Sequence, residues 1–151
     1  MERNEIQQLI ESYMSVGRLI HQHSYDSMET MKLYPGQPKF LVLIKKNEGV
    51  TQKELAEMHF VKPATITGML NKLEANHFVY RIPDETDKRI MRVYLTEEGR
   101  NLAEQSEKFM HSLTEILFEG FTEEDRSCFV RLTKKMRDNL LNKDNKPSHD
   151  I

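Results

Sequence analysis

The sequence predicts a mostly helical α+β fold, with one small β-hairpin and long helices toward both ends. Apolar residues recur at spacings of three and four through residues 4–31 and again through residues 96–141, which is the period of an amphipathic helix. Between these stretches, two short helical segments precede two runs rich in β-branched and aromatic residues. The runs, Phe78–Ile82 and Arg89–Leu95, flank a densely charged tip, and this arrangement predicts a hairpin.

Length and composition favour a single soluble domain. A chain of 151 residues can bury a sizeable core without dividing in two. The apolar runs are much shorter than the roughly 18 residues of a membrane span, so we expect no membrane partner. The N-terminal residues lack the order of a signal peptide, and Cys128 is the only cysteine, which favours a cytoplasmic protein without an intrachain disulfide.

The net charge of −2 does not by itself indicate a nucleic-acid binder. Only residues 51–92 have a positive balance, with seven Lys or Arg against six Asp or Glu. An electrostatic function must therefore depend on where these charges point rather than on their sum.

The first long helix should end near residue 31. Prolines and a glycine in Tyr34–Pro38 interrupt its pattern, and a short buried helix is expected over Pro38–Asn47. Gly49 suits the left-handed conformation that ends a helix. The apolar face of the first helix is predicted to contain Ile6, Leu9, Ile10, Tyr13, Val16 and Ile20.

A pair of helices is predicted between residues 51 and 75. Thr51 with Glu54 is a capping box, which starts a helix whose inward side chains should be Leu55 and Met58. Pro63 restarts a helix at the position where its missing N–H costs nothing. The buried stripe of this second helix has offsets of 0, 3, 4 and 7: Ile66, Met69, Leu70 and Leu73.

The opposite face of the second helix has short polar, small or basic side chains and no carboxylate before Glu74. Such a face suits close approach to another surface, such as the floor of a DNA major groove, whereas a solvated face usually mixes long Glu and Lys. The alternative is a plain two-helix corner in a helical domain. The outward residues are Ala64, Thr65, Thr67, Gly68, Asn71 and Lys72.

The hairpin tip has two interpretations. Pro83 ends the first strand, residues 83–89 form the tip, and the stretch from Asp84 to Arg92 holds three acidic and three basic side chains. The tip is either a solvated turn or a device that touches a charged partner, with Lys88 and Arg92 beside Arg89. A pair of helices followed directly by a hairpin is the element order of a winged helix, which favours DNA binding.

Two more helices should follow the hairpin. Thr96 opens one, with acidic residues near the positive end of its dipole, and a Thr-x-x-acid cap at Thr122 and Asp125 opens the other. We expect a disordered tail at residues 142–151. The repeating positions of the first of these two helices are Leu102, Ser106, Phe109, Leu113 and Ile116, and the apolar positions of the second are Phe129, Leu132, Met136 and Leu140.

Residues 51–99 resemble the MarR family of bacterial transcription regulators. The resemblance is carried by TQKELAE, KPATITGMLNKLEANHFVYR and DETDKRIMRVYLTEEG. Asp84, Asp87 and Arg89 supply a D-x-x-D-x-R pattern, which LTEEG follows at Leu95–Gly99. The terminal helices extend the resemblance to about residues 4–141, taken as one domain.

The resemblance implies a homodimer that binds a pseudo-palindromic promoter site as a ligand-responsive repressor. It implies a winged helix-turn-helix over about 37–99, a helix-turn-helix at 51–75, a wing at 78–95 and dimerisation helices at about 4–31 and 96–141. Lys62–Asn76 is implied to lie in the major groove, and Arg89, oriented by Asp87, to reach the minor groove. The predicted DNA contacts are Thr51, Gln52, Lys62, Pro63, Ala64, Thr65, Thr67, Asn71, Lys72, Asp87, Lys88 and Arg89, with Lys62 and Lys72 on phosphates.

The resemblance also implies a small phenolic or other amphipathic effector in a crevice beside the dimerisation helices. The candidate lining residues fit a hydrophobic core equally well: Tyr13, Met14, Met28, Met31 and Phe40.

The chain departs from the family in two places. A glycine is common where this chain has Asn76 and His77, so one of these two should adopt the left-handed conformation. Residues 1–50 lack the cysteine of the peroxide-sensing branch. We therefore expect Cys128 to be a buried structural thiol, and a Cys128→Ser variant to respond to peroxide as the wild type does.

Other functional classes have little support. The six histidines show no metal-ligand spacing, no nucleophile–base motif indicates an enzyme, and no cofactor is expected. The remaining alternative is a helical protein–protein adaptor whose hairpin is only a turn. Salt-sensitive affinity for DNA distinguishes the regulator from the adaptor.

Overall fold

The computed structural model describes residues 1–144, which contain six helices and three short strands. The chain forms two compact units, residues 1–110 and residues from 111 onward. The predicted class, mostly helical with a small hairpin, is confirmed. The elements are α1 (Arg3–Thr30), α2 (Gln37–Lys46), β1 (Val50–Thr51), α3 (Gln52–His59), α4 (Pro63–Ala75), β2 (Val79–Pro83), β3 (Met91–Leu95), α5 (Glu97–Leu117) and α6 (Glu123–Asp144).

The core of the first unit gathers residues from α2, α3, α4 and the sheet. Burying each large aliphatic side chain contributes about 1.5–3 kcal/mol, so this cluster holds the short helices together. Met69 packs at its edge, as the sequence predicted for the α4 stripe. The fully buried side chains include Leu41, Ile44, Leu55, Ile66, Leu70, Leu73 and Val93.

The inward position predicted for Met58 is wrong, because its side chain is 43% exposed. The inward face of α3 is set by Leu55 and Ala56, both buried, and by His59, whose ring stacks on Phe40 at a centroid distance of 4.0 Å. At 100° per residue, Met58 projects well away from the centre of that face.

The three strands form one antiparallel sheet in the order β1–β3–β2. Val79 pairs with Leu95 and Pro83 with Met91, which confirms the predicted hairpin. The sequence missed β1, whose Val50 pairs with Val93, because two residues are too short to show a period. β3 begins at Met91 rather than Arg89, because Ile90 still belongs to the tip and donates its N–H to the Asp87 carbonyl.

His77 is the residue that takes the left-handed conformation after α4, with φ of +58°. Its N–H donates to the Glu74 carbonyl, and the N–H of Phe78 donates to the Leu73 carbonyl, both at 2.9 Å. These two bonds form a Schellman motif, so the helix end is satisfied without glycine. Phe78 is buried and anchors the chain as it enters β2.

The LTEEG segment fixes the start of α5 against this corner. Thr96 Oγ1 donates to the His77 carbonyl at 2.7 Å and accepts the Gly99 N–H at 3.0 Å. Gly99 is buried, and a Cβ atom there would lie 1.8 Å from the Phe78 carbonyl oxygen. Only glycine therefore allows α5 to approach the turn this closely.

Much of α1 exposes its apolar face. Met28 and Met31 at its C-terminal end are buried in the first unit, whereas the predicted apolar residues before them are mostly exposed. The exposed fractions lie between 40% and 52% for Ile6, Leu9, Ile10, Tyr13 and Val16.

The second unit contains the end of α5 and all of α6. Thr122 and Asp125 form the predicted cap, with the Thr122 N–H donating to Asp125 at 2.9 Å. Cys128 is half-buried, so the predicted buried thiol is wrong. The outward apolar residues of α6 are between 46% and 68% exposed: Phe129, Leu132, Met136 and Leu140.

α6 continues to Asp144, so the predicted disordered tail is wrong for residues 142–144, and its remainder lies outside the described residues. Among residues 1–144, no helix combines the length and apolar character needed to cross a membrane.

Candidate nucleic-acid interface

The turn between α3 and α4 is built as the sequence predicted. Thr51 and Glu54 form a complete capping box, in which the Thr51 N–H donates to Glu54 at 2.7 Å. This hydrogen bond, with that from the Thr51 hydroxyl, lowers the pKa of Glu54. α3 ends at Phe60 in the left-handed conformation, and Pro63 starts α4. The two helices therefore meet in a helix-turn-helix corner.

The outward face of α4 is exposed and carries mostly short side chains. Gly68 offers no Cβ, and nothing lies within 4 Å of the place where one would be. Thr67 is half-buried, and its hydroxyl donates to the Pro63 carbonyl while it accepts from Gln52 Nε2. The structure thus joins two of the predicted contact residues into one pair. The exposed predicted residues on this face are Lys62, Pro63, Ala64, Thr65, Asn71 and Lys72.

The loop between α1 and α2 lies against α4. Lys72 Nζ sits 5.6 Å from the centre of the Tyr34 ring, within reach of a cation–π interaction. A Cβ built on Gly36 would lie 3.4 Å from the Met69 side chain. Tyr34 and Gly36 of this loop therefore lie close to α4.

The wing tip is organised around Asp84. Its carboxylate is buried and accepts hydrogen bonds from the Thr86 hydroxyl, from the N–H groups of Thr86 and Asp87, and from Arg92. These donors, led by Thr86, hold the pKa of Asp84 well below its usual range. A tight carboxylate-centred turn shapes the tip.

Arg89 and Asp87 form a two-pronged ion pair at the outer end of the tip. Arg89 Nε and Nη2 each donate to Asp87 at 3.0 Å, yet the Arg89 side chain is 91% exposed. Those hydrogen bonds raise the pKa of Arg89 and lower that of Asp87. The guanidinium is held in one orientation while pointing into solvent, and exposed Lys88 lies next to it in the chain.

Arg92 does not act as a second exposed charge beside Arg89, contrary to the prediction. Its Nε pairs with Asp84, and its Nη1 donates to the Gly49 carbonyl at 2.8 Å. It therefore fastens the wing tip to the residue before β1. The strand period explains this, because Arg92 lies within β3 and Arg89 precedes it.

Arg81, which sequence reasoning missed, ties β2 to α4. Its Nη2 donates to Asn71 Oδ1 at 3.0 Å, and its Nε donates to Glu74 at 3.1 Å. The hydrogen bonds with Glu74 raise the pKa of Arg81 and lower that of Glu74. The available signal was the alternation of β2, in which Arg81 shares a face with buried Val79.

Three comparisons with known proteins are informative. The family model MarR matches residues 33–91. The uncharacterised HTH-type transcriptional regulator YybA of Bacillus subtilis is 30% identical over 125 residues, which are 83% of this chain and 83% of that protein. The chain belongs to the MarR family. Proteins of this family are transcription regulators and not enzymes.

Solved MarR structures share the fold. A MarR protein from Peptoclostridium difficile superposes with a TM-score of 0.79 and 26% identity, covering 95% of this chain and 91% of that one. A putative MarR regulator from Listeria monocytogenes, complexed with a 26-mer DNA, has a TM-score of 0.78 and 22% identity, covering 93% and 97%.

The effector residues suggested by the MarR resemblance do not come together. Tyr13 and Met14 are exposed on α1, while Met31 and Phe40 belong to the hydrophobic core. Met28 alone lines a cavity of about 340 Å³ in the first unit. The other lining residues, which mix aromatic, charged and apolar groups, are His21, Tyr25, Glu29, Lys32, Leu33, Tyr34 and Pro35.

Among the described residues of this MarR protein, no three His, Cys, Asp or Glu side chains converge as metal ligands.

Proposed function

We propose that this protein is a homodimeric repressor that binds a pseudo-palindromic promoter site and responds to a small ligand. The observation that carries the proposal is the Arg89 side chain, which is 91% exposed and yet held by two hydrogen bonds to Asp87. Two hydrogen bonds to one carboxylate give this exposed guanidinium a defined orientation. A guanidinium fixed in advance loses less conformational freedom when it meets an anionic groove.

The wing is proposed to contact the minor groove. Narrow minor grooves concentrate negative potential and attract inserted arginines. Lys88 adds charge beside Arg89, whereas Arg92 and Asp84 hold the tip in shape from within. Arg89 and Lys88 are thus exposed to a groove, while Arg92 and Asp84 stabilise the conformation of the tip.

The recognition helix α4 is proposed to lie in the major groove. Gly68, Ala64 and Thr65 are exposed and short, so the backbone of α4 can approach base edges closely. Lys62 and Lys72 are proposed to meet phosphates, together with the Thr51 and Gln52 end of α3. A Listeria monocytogenes protein of this fold forms a complex with a 26-mer DNA, which supports DNA binding by this chain.

A second copy of the chain is the proposed partner of the exposed apolar helices. Exposed residues of α1 and α6, such as Leu9, Tyr13, Phe129 and Leu140, are too many for a stable solvated surface. A two-fold dimer places two recognition helices roughly 34–36 Å apart, one helical turn of DNA, and so requires a pseudo-palindrome. The proposal puts the protein in the bacterial cytoplasm, where chromosomal DNA lies.

Ligand control is proposed to act through the loop that joins α1 and α2. Tyr34 lines the cavity of about 340 Å³ and also lies under Lys72 of α4. A small aromatic molecule that binds there and displaces Tyr34 moves the recognition helix, and so changes its affinity for DNA. A dimer that occupies a promoter excludes polymerase, which makes repression the expected outcome.

The proposal is tested by fluorescence anisotropy of labelled promoter DNA at several salt concentrations. A regulator that neutralises several phosphates loses affinity steeply as salt rises. A helical adaptor without DNA binding, the alternative, gives no saturable signal at any salt concentration. Random duplex DNA of the same length measures the non-specific component.

A further inference from the structure

Arg81 forces the side chain of Asn71 to face one way. Its guanidinium donates to Asn71 Oδ1 at 3.0 Å. A guanidinium carries N–H donors and no acceptor, so only the oxygen of the amide can face it. The Asn71 Nδ2 group is thereby turned away from Arg81.

The Arg81 guanidinium is held from a second side by Glu74, whose Oε2 accepts from both Nε and Nη2 of Arg81. The Arg81 side chain is only 21% exposed, so solvent screens this ion pair less than a fully open one. Asn71 itself is exposed on the face of α4 that carries the predicted DNA contacts. The result is an amide of fixed orientation on an open surface.

We infer that Arg81 is a positioning residue for base recognition, and that Asn71 reads its base pair mainly as a hydrogen-bond donor, through Nδ2. The inference rests on the proposed insertion of α4 into the major groove. Guanine presents two acceptors, N7 and O6, to the two hydrogens of Nδ2. Adenine presents N7 and the donor N6, and asparagine normally pairs with these through both its nitrogen and its oxygen. Oδ1 has two lone pairs, and the bond that one of them accepts from the charged Arg81 makes the other a weaker acceptor for adenine N6, so guanine is favoured over adenine.

The test is selection of bound sites from random duplex DNA by the purified full-length chain. Asn71→Ala identifies the base pair that Asn71 reads, because the preference at that pair alone flattens. The wild-type protein should prefer guanine over adenine there by roughly tenfold, as a good bidentate contact allows. Asn71→Ala with no flattened position overturns the inference.

Arg81→Gln then releases the amide, because glutamine can accept as well as donate. The preference at the identified pair should move toward adenine, while preferences elsewhere in the site stay as in the wild type. Arg100→Gln is the matched control, since it removes the same charge and an ion pair with Glu48 at 2.6 Å. That control should keep the guanine preference.

A wild-type preference for adenine at this pair, or an unchanged guanine preference in folded Arg81→Gln, overturns the inference while leaving the proposed DNA binding intact. If circular dichroism shows that Arg81→Gln does not fold, Arg81→Met decides, because methionine has a similar length and no N–H donor in its side chain. The guanine preference should move toward adenine in Arg81→Met, whereas Arg100→Met should keep it. Enrichment of no sequence by the wild type contradicts the proposed function, and the inference fails with it.

Discussion

Arg89 and Arg92 lie three residues apart in the same hairpin, and their surroundings differ completely. Arg92 is committed to Asp84 and to the Gly49 carbonyl, both within the protein. Arg89 has a single acidic partner, Asp87, and its side chain is 91% exposed. The first residue stabilises the wing, and the second is available to a ligand.

Replacing Arg89 by alanine should weaken binding to the cognate site by about tenfold to a hundredfold, the usual range for one groove contact. Stability should be unchanged, because the side chain is almost entirely exposed. Anisotropy titration measures the affinity and thermal melting checks the fold. Glu85→Ala at the same tip is the control, and equal affinity of Arg89→Ala and the wild type would contradict a wing contact.

Asp84→Asn should lower the unfolding temperature at pH 7, because the pair with Arg92 is lost. Hydrogen bonds from Thr86, from backbone N–H groups and from Arg92 depress the pKa of Asp84 in the folded state. Such a carboxylate stabilises the fold above its unfolded pKa, ~4, and loses this effect as pH falls toward the folded value. The difference between variant and wild type should therefore shrink as pH falls below about 4. Melting curves of Asp84→Asn and of Glu85→Gln across this range measure it, and a difference independent of pH argues against the assigned role.

At the scale of elements, the corner between α4, β2 and α5 depends on one missing side chain. A Cβ on Gly99 would lie 1.8 Å from the Phe78 carbonyl oxygen, so α5 and the turn must separate to admit it. Gly99→Ala should destabilise the protein by about 1–3 kcal/mol, as overpacking does. Denaturant unfolding measures this change.

Gly68→Ala supplies the matched comparison, because a Cβ there meets nothing within 4 Å. In the middle of a helix this substitution should stabilise the fold by about 0.5–1 kcal/mol. If both variants shift stability in the same direction by the same amount, the close approach at Gly99 is not what constrains the corner.

Local patterns predicted most of these elements, because caps and periods are properties of neighbouring residues. The Thr51 and Thr122 caps, the α4 stripe and the hairpin all followed from short-range spacing. β1 was too short to have a period, and Met58 points outward because α3 packs on Phe40 through His59 instead. Those features arise only when separate segments meet.

The same limit explains what was missed at the candidate site. The Asp87–Arg89 pair joins residues two apart, and the predicted orienting role matches the geometry observed. The Arg81–Asn71 contact spans ten residues and two elements, and the Arg92–Gly49 contact spans 43 residues. Arg92 was grouped with Arg89 on its charge alone, because its partners Asp84 and Gly49 meet it only in the folded chain.

At the scale of the whole molecule, the exposed apolar face of α1 is proposed to be covered by a second copy of the chain. Leu9→Glu places a charge among apolar residues that are proposed to be buried in the dimer, and should convert the protein to a monomer. Gln8→Glu, on the opposite face of the helix, adds the same charge and should leave the dimer intact. Analytical ultracentrifugation distinguishes the two, and a wild-type monomer at micromolar concentration would remove the basis for a palindromic site.

Two copies of this chain are proposed to read DNA together through α4 and the wing. Selection of bound sites from random DNA tests this proposal, with the stoichiometry of the selected complex measured by ultracentrifugation. We expect a pseudo-palindrome whose half-sites lie about one helical turn apart, bound by two chains. Enrichment of a single unrepeated sequence bound by one chain, or no enrichment at all, would contradict it.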